Sequence, residues 1–245
     1  MPSLARASLV LFTLMSVALC APARAQDEPP SPPPNTLTAE ERAEGWTLLF
    51  DGSTPEGWRG YGQAAFPDRG WTVEDGVLTV DGAGGDIVTT ETYSDFVLRL
   101  EWKIAKGGNS GIFYRALEQP DRAIYWSAPE MQILDNAHHP DAPRGENGNR
   151  KAGSLYDLIP ADPQPFTGHG EWQEVMIVVE GGHVEHWLNG RKVLAYELWT
   201  PEWYRMLRDS KFRSHPEFGD AREGHIGLQE HGTTAHFRNI KIKTL

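Results

Sequence analysis

The run 130–135, Glu-Met-Gln-Ile-Leu-Asp, carries polar side chains whose types and spacing could bind a ligand and transfer a proton. In an extended strand alternate residues share a face, so Glu130 and Gln132 point one way while Met131 and Ile133 point toward a core. A carboxylate beside a carboxamide is suited to binding sugar hydroxyls. We expect Glu130 to act in catalysis and Gln132 and Asp135 to bind substrate; the alternative is a strand face that is only solvated.

Two further strands carry polar groups with a matching alternation. Arg115 follows Gly111 and Phe113 at every second position, and His231 shares a face with Gln229. Imidazole titrates near neutral pH, so His231 is a candidate acid or base. We expect Arg115 and Gln229 to bind substrate.

Short apolar runs separated by turn residues fill the chain from Trp46 onward. Phe96–Ile104 alternates apolar and charged residues, which predicts a strand with one buried face. Gly-Gly and Asn-Gly turns join Glu174–Glu180, His183–Leu188 and Lys192–Tyr196 in a predicted meander.

Helical signals are confined to two segments. Thr38 and the acidic residues after it predict a short N-terminal helix, and Pro201–Phe212 has proline at a first helical position followed by an apolar stripe. No internal repeat is visible, which argues against a propeller or solenoid. Many strands without crossover helices predict an all-β fold, an antiparallel β-sandwich of jelly-roll type with one or two short helices.

The chain has nine tryptophans, which we expect to divide between the core and the site. Trp46, Trp71, Trp102 and Trp187 lie in strand patterns and are predicted to be core residues. Trp126, beside a tyrosine and close to a proline, is the strongest candidate for stacking on a sugar ring.

Composition excludes several classes of function. The 245 residues carry a formal net charge of −11, which argues against nucleic acid as a partner. One cysteine excludes a disulfide framework and a cysteine-based zinc site.

The N-terminus predicts export. Residues 1–25 read as a signal peptide, with an early arginine, the apolar segment 8–19 and an Ala-Arg-Ala cleavage site. The apolar segment is shorter than the roughly 20 residues of a membrane span, so we expect no stable membrane insertion; a retained anchor is the alternative. Cleavage would remove Cys20. Residues 26–36 form a proline-rich linker and residues 37–245 the domain, placed in the periplasm or outside the cell.

Eight stretches, in order along the chain, resemble the 3-keto-disaccharide hydrolase family, a group of secreted bacterial proteins formerly of unknown function. The resemblance implies a concanavalin A-like jelly roll that cleaves glycosides already oxidised to a ketone at C3. The stretches are Trp46–Gly57, Gly108–Arg115, Glu130–Asn136, Gly153–Leu158, Gly170–Trp172, His186–Gly190, Ser210–Phe212 and Gly224–Ile240.

The implied chemistry assigns roles to the candidate residues. A C3 ketone acidifies the hydrogen on C2, so a base can remove it and expel the group on C1, after which water can add. Glu130 or His231 could be that base. Arg115 or a metal could hold the developing enolate oxygen, and Tyr156 could protonate the leaving oxygen; an ordinary strand tyrosine is the alternative.

A divalent metal ion is left open as a cofactor. Glu130, Asp135, His231 and either His138 or His139 are suitable ligand types, although their spacing matches no compact metal motif.

Three other polar segments have both a structural and a functional interpretation. Lys211 either binds substrate or compensates the charge at a helix end. The loop 136–151 is either a lid or a solvated surface loop. Asn109 and Ser110, flanked by glycines, are expected to form a tight turn; the alternative is that they bind sugar.

Two other functions remain open at the level of sequence. Jelly-roll endoglucanases carry Glu-x-Asp-x-x-Glu on one strand; here Gln132 replaces the middle acid, and a β-bulge would be needed to bring Asp135 to the face of Glu130. A non-catalytic carbohydrate-binding module is the other alternative. The preferred function requires a carbohydrate substrate and a sugar 3-dehydrogenase to produce it.

Overall fold

Two antiparallel sheets form the part of the chain that the computed structural model describes, residues 32–245. Its thirteen strands are β1 Thr47–Leu48, β2 Trp58–Gly60, β3 Trp71–Glu74, β4 Val77–Val80, β5 Ile87–Thr89, β6 Phe96–Ile104, β7 Asn109–Ala116, β8 Glu130–Leu134, β9 Gln173–Glu180, β10 His183–Leu188, β11 Arg191–Glu197, β12 His225–Leu228 and β13 Ala235–Thr244.

The larger sheet has the strand order β11-β10-β9-β6-β13-β4-β3, with β1 also paired to β13. The smaller sheet has the order β2-β5-β12-β7-β8. Every strand pair is antiparallel, and neighbours such as β6 and β13 are far apart in sequence. The prediction of an all-β antiparallel sandwich is therefore confirmed.

The main core lies between the two sheets and follows the alternation in the sequence. The inward residues of β6 are all buried and pack with inward residues of β7 and β8. They are Phe96, Leu98, Leu100, Trp102 and Ile104 from β6, Ile112 and Tyr114 from β7, and Met131 and Ile133 from β8.

The predicted helices are present, and the second is shorter than expected. Helix α1, Ala39–Ala43, starts with a capping box in which Thr38 and Glu41 each bond to the other's backbone. Helix α2, Pro201–Arg208, ends before Ser210, whose hydroxyl accepts from the backbone of the 3₁₀ turn Lys211–Ser214. This break separates Lys211 from the helix.

Two strands were not predicted, β2 and β5. Each has only three residues, too few for an alternation to show. In β5, Ile87 packs in the core between the sheets and Val88 in a smaller cluster on the opposite face of its sheet. Asp86 immediately precedes β5.

The prediction that Trp187 is a core residue is wrong, because β10 directs the neighbouring His186 inward instead. His186 is fully buried, its Nε2 lies 2.8 Å from the Tyr114 hydroxyl, and its Nδ1 lies 3.1 Å from the Gly153 carbonyl oxygen. Burial lowers its pKa to about 4, so the ring is neutral and hydrogen bonds alone satisfy it. Trp46, Trp71 and Trp102 are buried as predicted.

The predicted signal peptide and the linker residues 26–31 lie outside the described residues. Packed structure is present from Asn35, whose side chain donates to the Gly76 carbonyl oxygen and accepts from the backbone of Asn239. Among the helices of residues 32–245, none has the length and apolar character that a membrane span requires.

Candidate active site

A cleft of about 200 Å³ lies on the smaller sheet, on the face turned away from the larger sheet. It follows from the alternation in β8: Met131 and Ile133 enter the main core, so Glu130 and Gln132 face the opposite way. The lining residues are Asp86, Asn109, Tyr125, Glu130, Gln132, Tyr156, Lys211, Phe212, Gln229, Glu230 and His231.

Glu130 is the most deeply buried acid of this cleft, with 5% of its surface exposed. Within residues 32–245 no lysine, arginine or histidine forms an ion pair with its carboxylate, whereas other carboxylates such as Asp141 are paired. Burial raises the pKa of Glu130 to about 8. A carboxyl in this state is a stronger base than an ordinary glutamate and titrates near neutral pH.

The carboxyl group of Glu130 lies over a glycine of the neighbouring strand. In the β7–β8 register Gly111 is opposite Gln132, two positions from the pair formed by Phe113 and Glu130, so both pairs lie on the same face of the sheet. A Cβ atom on residue 111 would lie 2.2 Å from Oε1 of Glu130. The missing side chain of Gly111 therefore provides the space that the carboxyl group occupies.

Two carboxamides form the adjoining wall. Gln132 Nε2 donates to Asn109 Oδ1 at 3.3 Å, and Oε1 of Gln132 is buried without a hydrogen-bond partner among the described residues. A buried acceptor without a donor is costly unless a ligand supplies one. Gln132 is thus placed to accept from a hydroxyl group in the cleft. Asn109 belongs to β7, so the predicted tight turn at this position is wrong.

Tyr156 reaches the cleft because its segment extends the smaller sheet at the free edge of β8. The Gln132 N–H donates to the Ser154 carbonyl and the Tyr156 N–H to the Glu130 carbonyl, both at 3.0 Å. The Tyr156 hydroxyl donates to Asp141 Oδ2 at 3.1 Å. Burial raises the pKa of this phenol, so it keeps its proton at neutral pH.

Among the residues that line the cleft, Lys211 is the one with a permanently cationic type of side chain, a lysine or an arginine. Its Nζ lies 4.0 Å from the centre of the Tyr156 ring and 3.8 Å from Oδ2 of Asp157. Burial lowers the pKa of its ammonium group, and its charge acts on Glu130. Helix α2 ends at Arg208, so the cleft rather than the helix end is the environment of Lys211.

The third side of the cleft comes from the chain after β12. The Gln229 N–H donates to the Gly111 carbonyl at 3.0 Å, and His231 is exposed at the mouth. The Glu230 N–H donates to Asp86 Oδ1 at 2.9 Å. Burial raises the pKa of Asp86 to about 6. Sequence reasoning missed Asp86 because this residue precedes the unpredicted strand β5.

Arg115 does not line the cleft, contrary to prediction. Its side chain is 2% exposed, bonds to the carbonyl oxygens of Ser94 and Gly181, and pairs with Asp95 at 2.9 Å. The cause is an irregularity in the pairing of β12 with β7, together with a φ of 50° at Arg115 itself. The bulge reverses the alternation that Gly111 begins.

Asp135 also lies outside the cleft, because β8 ends at Leu134. Its carboxylate is buried and accepts from the backbone of Gly107 at 2.8 Å and of Ala137 at 3.1 Å. The predicted substrate contact is therefore wrong, and Asp135 instead binds the backbone of two turns.

From the segment 124–126, Tyr125 rather than Trp126 lines the cleft. A 3₁₀ turn over Ile124–Trp126 rotates each side chain by about 120° from the last. Trp126 consequently faces His215, with ring centres 3.8 Å apart and nearly parallel planes. Tyr125 is 40% exposed and offers its ring to the cleft.

The predicted metal ligands do not form one site. Glu130 and His231 line the cleft, whereas Asp135 meets His138 outside it, with Oδ2 and Nδ1 2.8 Å apart. His139 accepts from the backbone N–H of Asp141.

Fold and cleft together define a carbohydrate-active enzyme, since a buried carboxyl with a raised pKa faces a cation, a phenol and several carboxamides in a small hollow. Residues 45–243 match the family described as the 3-keto-alpha-glucoside-1,2-lyase-like domain. The chain belongs to this family, and it is a glycoside hydrolase or lyase.

Similar proteins support this assignment. A protein of Bacteroides thetaiotaomicron named 3-keto-disaccharide hydrolase is 43% identical over 232 residues, which cover 83% of this chain and 79% of that protein. A Parabacteroides distasonis crystal structure, provisionally classed as a glycosyl hydrolase, has a TM-score of 0.80 and 35% identity over 87% of this chain and all of that chain. A second structure from that organism, classed in the same way, has a TM-score of 0.64 and 27% identity over 82% of this chain and 99% of its own.

Proposed function

We propose that this protein cleaves the glycosidic bond of 3-keto-glycosides by proton removal from C2, with Glu130 as the base. The buried Glu130 carboxyl, seated over Gly111 and facing Lys211, carries the proposal. The Bacteroides relative, named for action on 3-keto-disaccharides, supports the substrate class. The cleft of about 200 Å³ is smaller than sites for drug-sized ligands and suits a single sugar ring.

The reaction divides into two proton transfers. Glu130 takes the C2 proton, and the electron pair of that bond moves toward the C3 ketone to give an enolate. The pair then returns to re-form the ketone, a C1–C2 double bond forms, and the C1–O bond breaks as the leaving oxygen accepts a proton. Addition of water across C1–C2 gives net hydrolysis.

The remaining cleft residues support these steps. Lys211 faces the developing negative charge on the C3 oxygen, the role for which Arg115 is too distant from the cleft. Tyr156 retains its proton and can give it to the leaving oxygen. Gln132 and Gln229 bind hydroxyl groups. His231, at the mouth, is the second candidate for the base.

The two alternative functions lose support. An endoglycanase using Glu130 and Asp135 needs both carboxyl groups at one bond, and Asp135 lies outside the cleft. A buried carboxyl with a raised pKa is suited to proton transfer, which a module that only binds sugar does not require.

One comparison of substrates tests the proposal. The purified protein is incubated with a 3-keto-glucoside and with the same glucoside unoxidised, and products are followed by NMR in D₂O. We expect aglycone release from the keto form alone, with an unsaturated 3-keto sugar or deuterium at C2. Cleavage of the unoxidised glycoside, or no release from any keto-glycoside, would contradict it.

The proposed substrate requires an enzyme that produces it, and the N-terminal sequence indicates where this protein acts. A 3-keto sugar must come from a dehydrogenase that oxidises C3, so this protein acts after such an enzyme. We further propose that residues 1–25 are a signal peptide and that the protein acts in the periplasm or outside the cell. Sequencing the N-terminus of the native protein tests this; a start at Met1 would argue against export.

Substitution of Gly111 tests the placement of Glu130. In Gly111→Ala the new methyl group displaces the carboxyl, and we expect kcat to fall about tenfold to hundredfold and the thermal midpoint to fall modestly, because the buried site is overpacked. Kinetics of Gly111→Ala, Glu130→Gln and the double variant measure the coupling. The double variant should be no slower than Glu130→Gln; multiplying losses would mean that Gly111 acts independently of Glu130.

A further inference from the structure

We propose that Asp135, His138 and His169 form a binding site for one divalent transition-metal ion, outside the cleft. Each residue offers one ligand atom, and these three atoms lie within 4.8 Å of one another. Oδ2 of Asp135 lies 2.8 Å from Nδ1 of His138 and 3.3 Å from Nδ1 of His169.

The geometry suits a metal ion. Zinc bonds to nitrogen and carboxylate oxygen are about 2.0–2.2 Å long, so neighbouring ligand atoms should be roughly 3–3.5 Å apart. The two carboxylate–imidazole distances are close to this range. The imidazole planes are nearly perpendicular, at 82°, so the rings converge through Nδ1 and do not stack.

The charges also favour a cation. The carboxylate of Asp135 is fully buried, and in residues 32–245 its ion-pair partners are the two imidazoles, with no lysine or arginine among them. A buried carboxylate requires compensation of its charge, which a dication supplies. The side chains of His138 and His169 are 40% and 37% exposed, so an ion can enter from solvent and keep water ligands.

The donor set selects the class of metal. Two imidazole nitrogens and one carboxylate oxygen suit zinc, cobalt or nickel, whereas magnesium and calcium prefer oxygen ligands alone. Without metal, the same contacts would be two Nδ1–H groups that donate to Asp135.

The site would connect three segments of the chain. Asp135 accepts a hydrogen bond from the Gly107 N–H in the turn after β6, His138 lies near the start of the loop 136–151, and His169 precedes β9. That loop also carries Asp141, which accepts from Tyr156 at the cleft. A bound ion would therefore stabilise the loop that orients Tyr156, and this role does not depend on which substrate is cleaved.

Metal titration tests the proposal. The protein, produced without a histidine tag and stripped with chelator, is titrated with Zn²⁺ by calorimetry, with Co²⁺ absorption as a spectroscopic check and Mg²⁺ as a control. We expect one Zn²⁺ per chain, a higher thermal midpoint with Zn²⁺, and no binding of Mg²⁺. Affinity should fall at least tenfold in His169→Gln and in His138→Gln.

The matched control is His183→Gln, which removes an exposed histidine that pairs with Glu185 and Glu197 on the larger sheet. It should bind Zn²⁺ like the unaltered protein. Absence of Zn²⁺ binding, or binding that survives both His138→Gln and His169→Gln, would overturn the proposal. Because the readout is binding, this outcome is independent of activity on keto-sugars.

Discussion

Glu130→Gln should lower kcat on a 3-keto-glycoside by about 10²–10⁴-fold, the usual contribution of a general base. The amide keeps the shape of the side chain and cannot accept the C2 proton, so KM should change little. Steady-state kinetics measure both constants. The control is Glu185→Gln, which alters a carboxylate paired with Lys192 outside the cleft and should leave kcat unchanged. Equal losses in the two variants would contradict a specific role of Glu130.

The pKa of Glu130 gives this variant a pH signature. A base must be deprotonated, so kcat/KM of the unaltered protein should rise with pH through about 8, where an ordinary glutamate would titrate near 4.5. The rise should be absent from the residual activity of Glu130→Gln. A rate limb centred near pH 4.5 would show that Glu130 is not the base.

The same pKa predicts an effect on stability. Because folding raises the pKa of Glu130, its contribution to stability is fully present below pH 4.5 and is lost as pH rises through about 8. Glu130→Gln removes this loss. Its thermal midpoint should therefore exceed that of the unaltered protein by roughly 5–10 °C at pH 9 and differ little at pH 4. A midpoint gain of equal size at both pH values would contradict the assigned cause.

Lys211→Met should lower kcat by about 10²–10³-fold, the loss typical of removing one group that stabilises a developing oxyanion. Methionine keeps the length and apolar contacts of the side chain and removes the charge. Lys192→Met removes a lysine paired with Glu185 on the larger sheet and serves as the control.

A second readout separates an electrostatic role of Lys211 from a structural one. Burial raises the pKa of Glu130 and the charge of Lys211 lowers it, so the pH limb of kcat/KM should move to higher pH in Lys211→Met. Lys211→Arg should restore the limb and part of kcat. An unchanged limb in Lys211→Met would show that Lys211 does not act on Glu130.

The alternation of residues along the strand was sufficient to predict which side chains of β8 line the site. Glu130 and Gln132 were predicted to share a face, and they line the same cleft because Met131 and Ile133 must enter the core. Alternation also placed His231 and Gln229 together. Their catalytic and binding roles remain predictions that the variants above test.

Each wrong placement follows from a local departure that composition does not show. A bulge with positive φ turns Arg115 toward Asp95. A 3₁₀ turn places the side chain of Tyr125, rather than that of Trp126, at the cleft. Asp135 is one residue past the end of its strand, so no alternation governs it.

Asp86 and Gly111 show which parts of the site depend on the pairing of strands that are distant in sequence. Asp86 precedes a strand of three residues, and it reaches the cleft only because β5 pairs with β12. Gly111 has a role only because β7 lies beside β8, which puts the Glu130 carboxyl over it.

By itself the sequence determined the fold class, the family and the inward and outward faces of the long strands, because alternation and turn residues act over a few positions. The tertiary structure decided which outward groups meet. Strand pairing between residues a hundred positions apart, with its bulges, sets those distances. It brought Lys211 rather than Arg115 to Glu130, and it placed His169 beside Asp135 and His138.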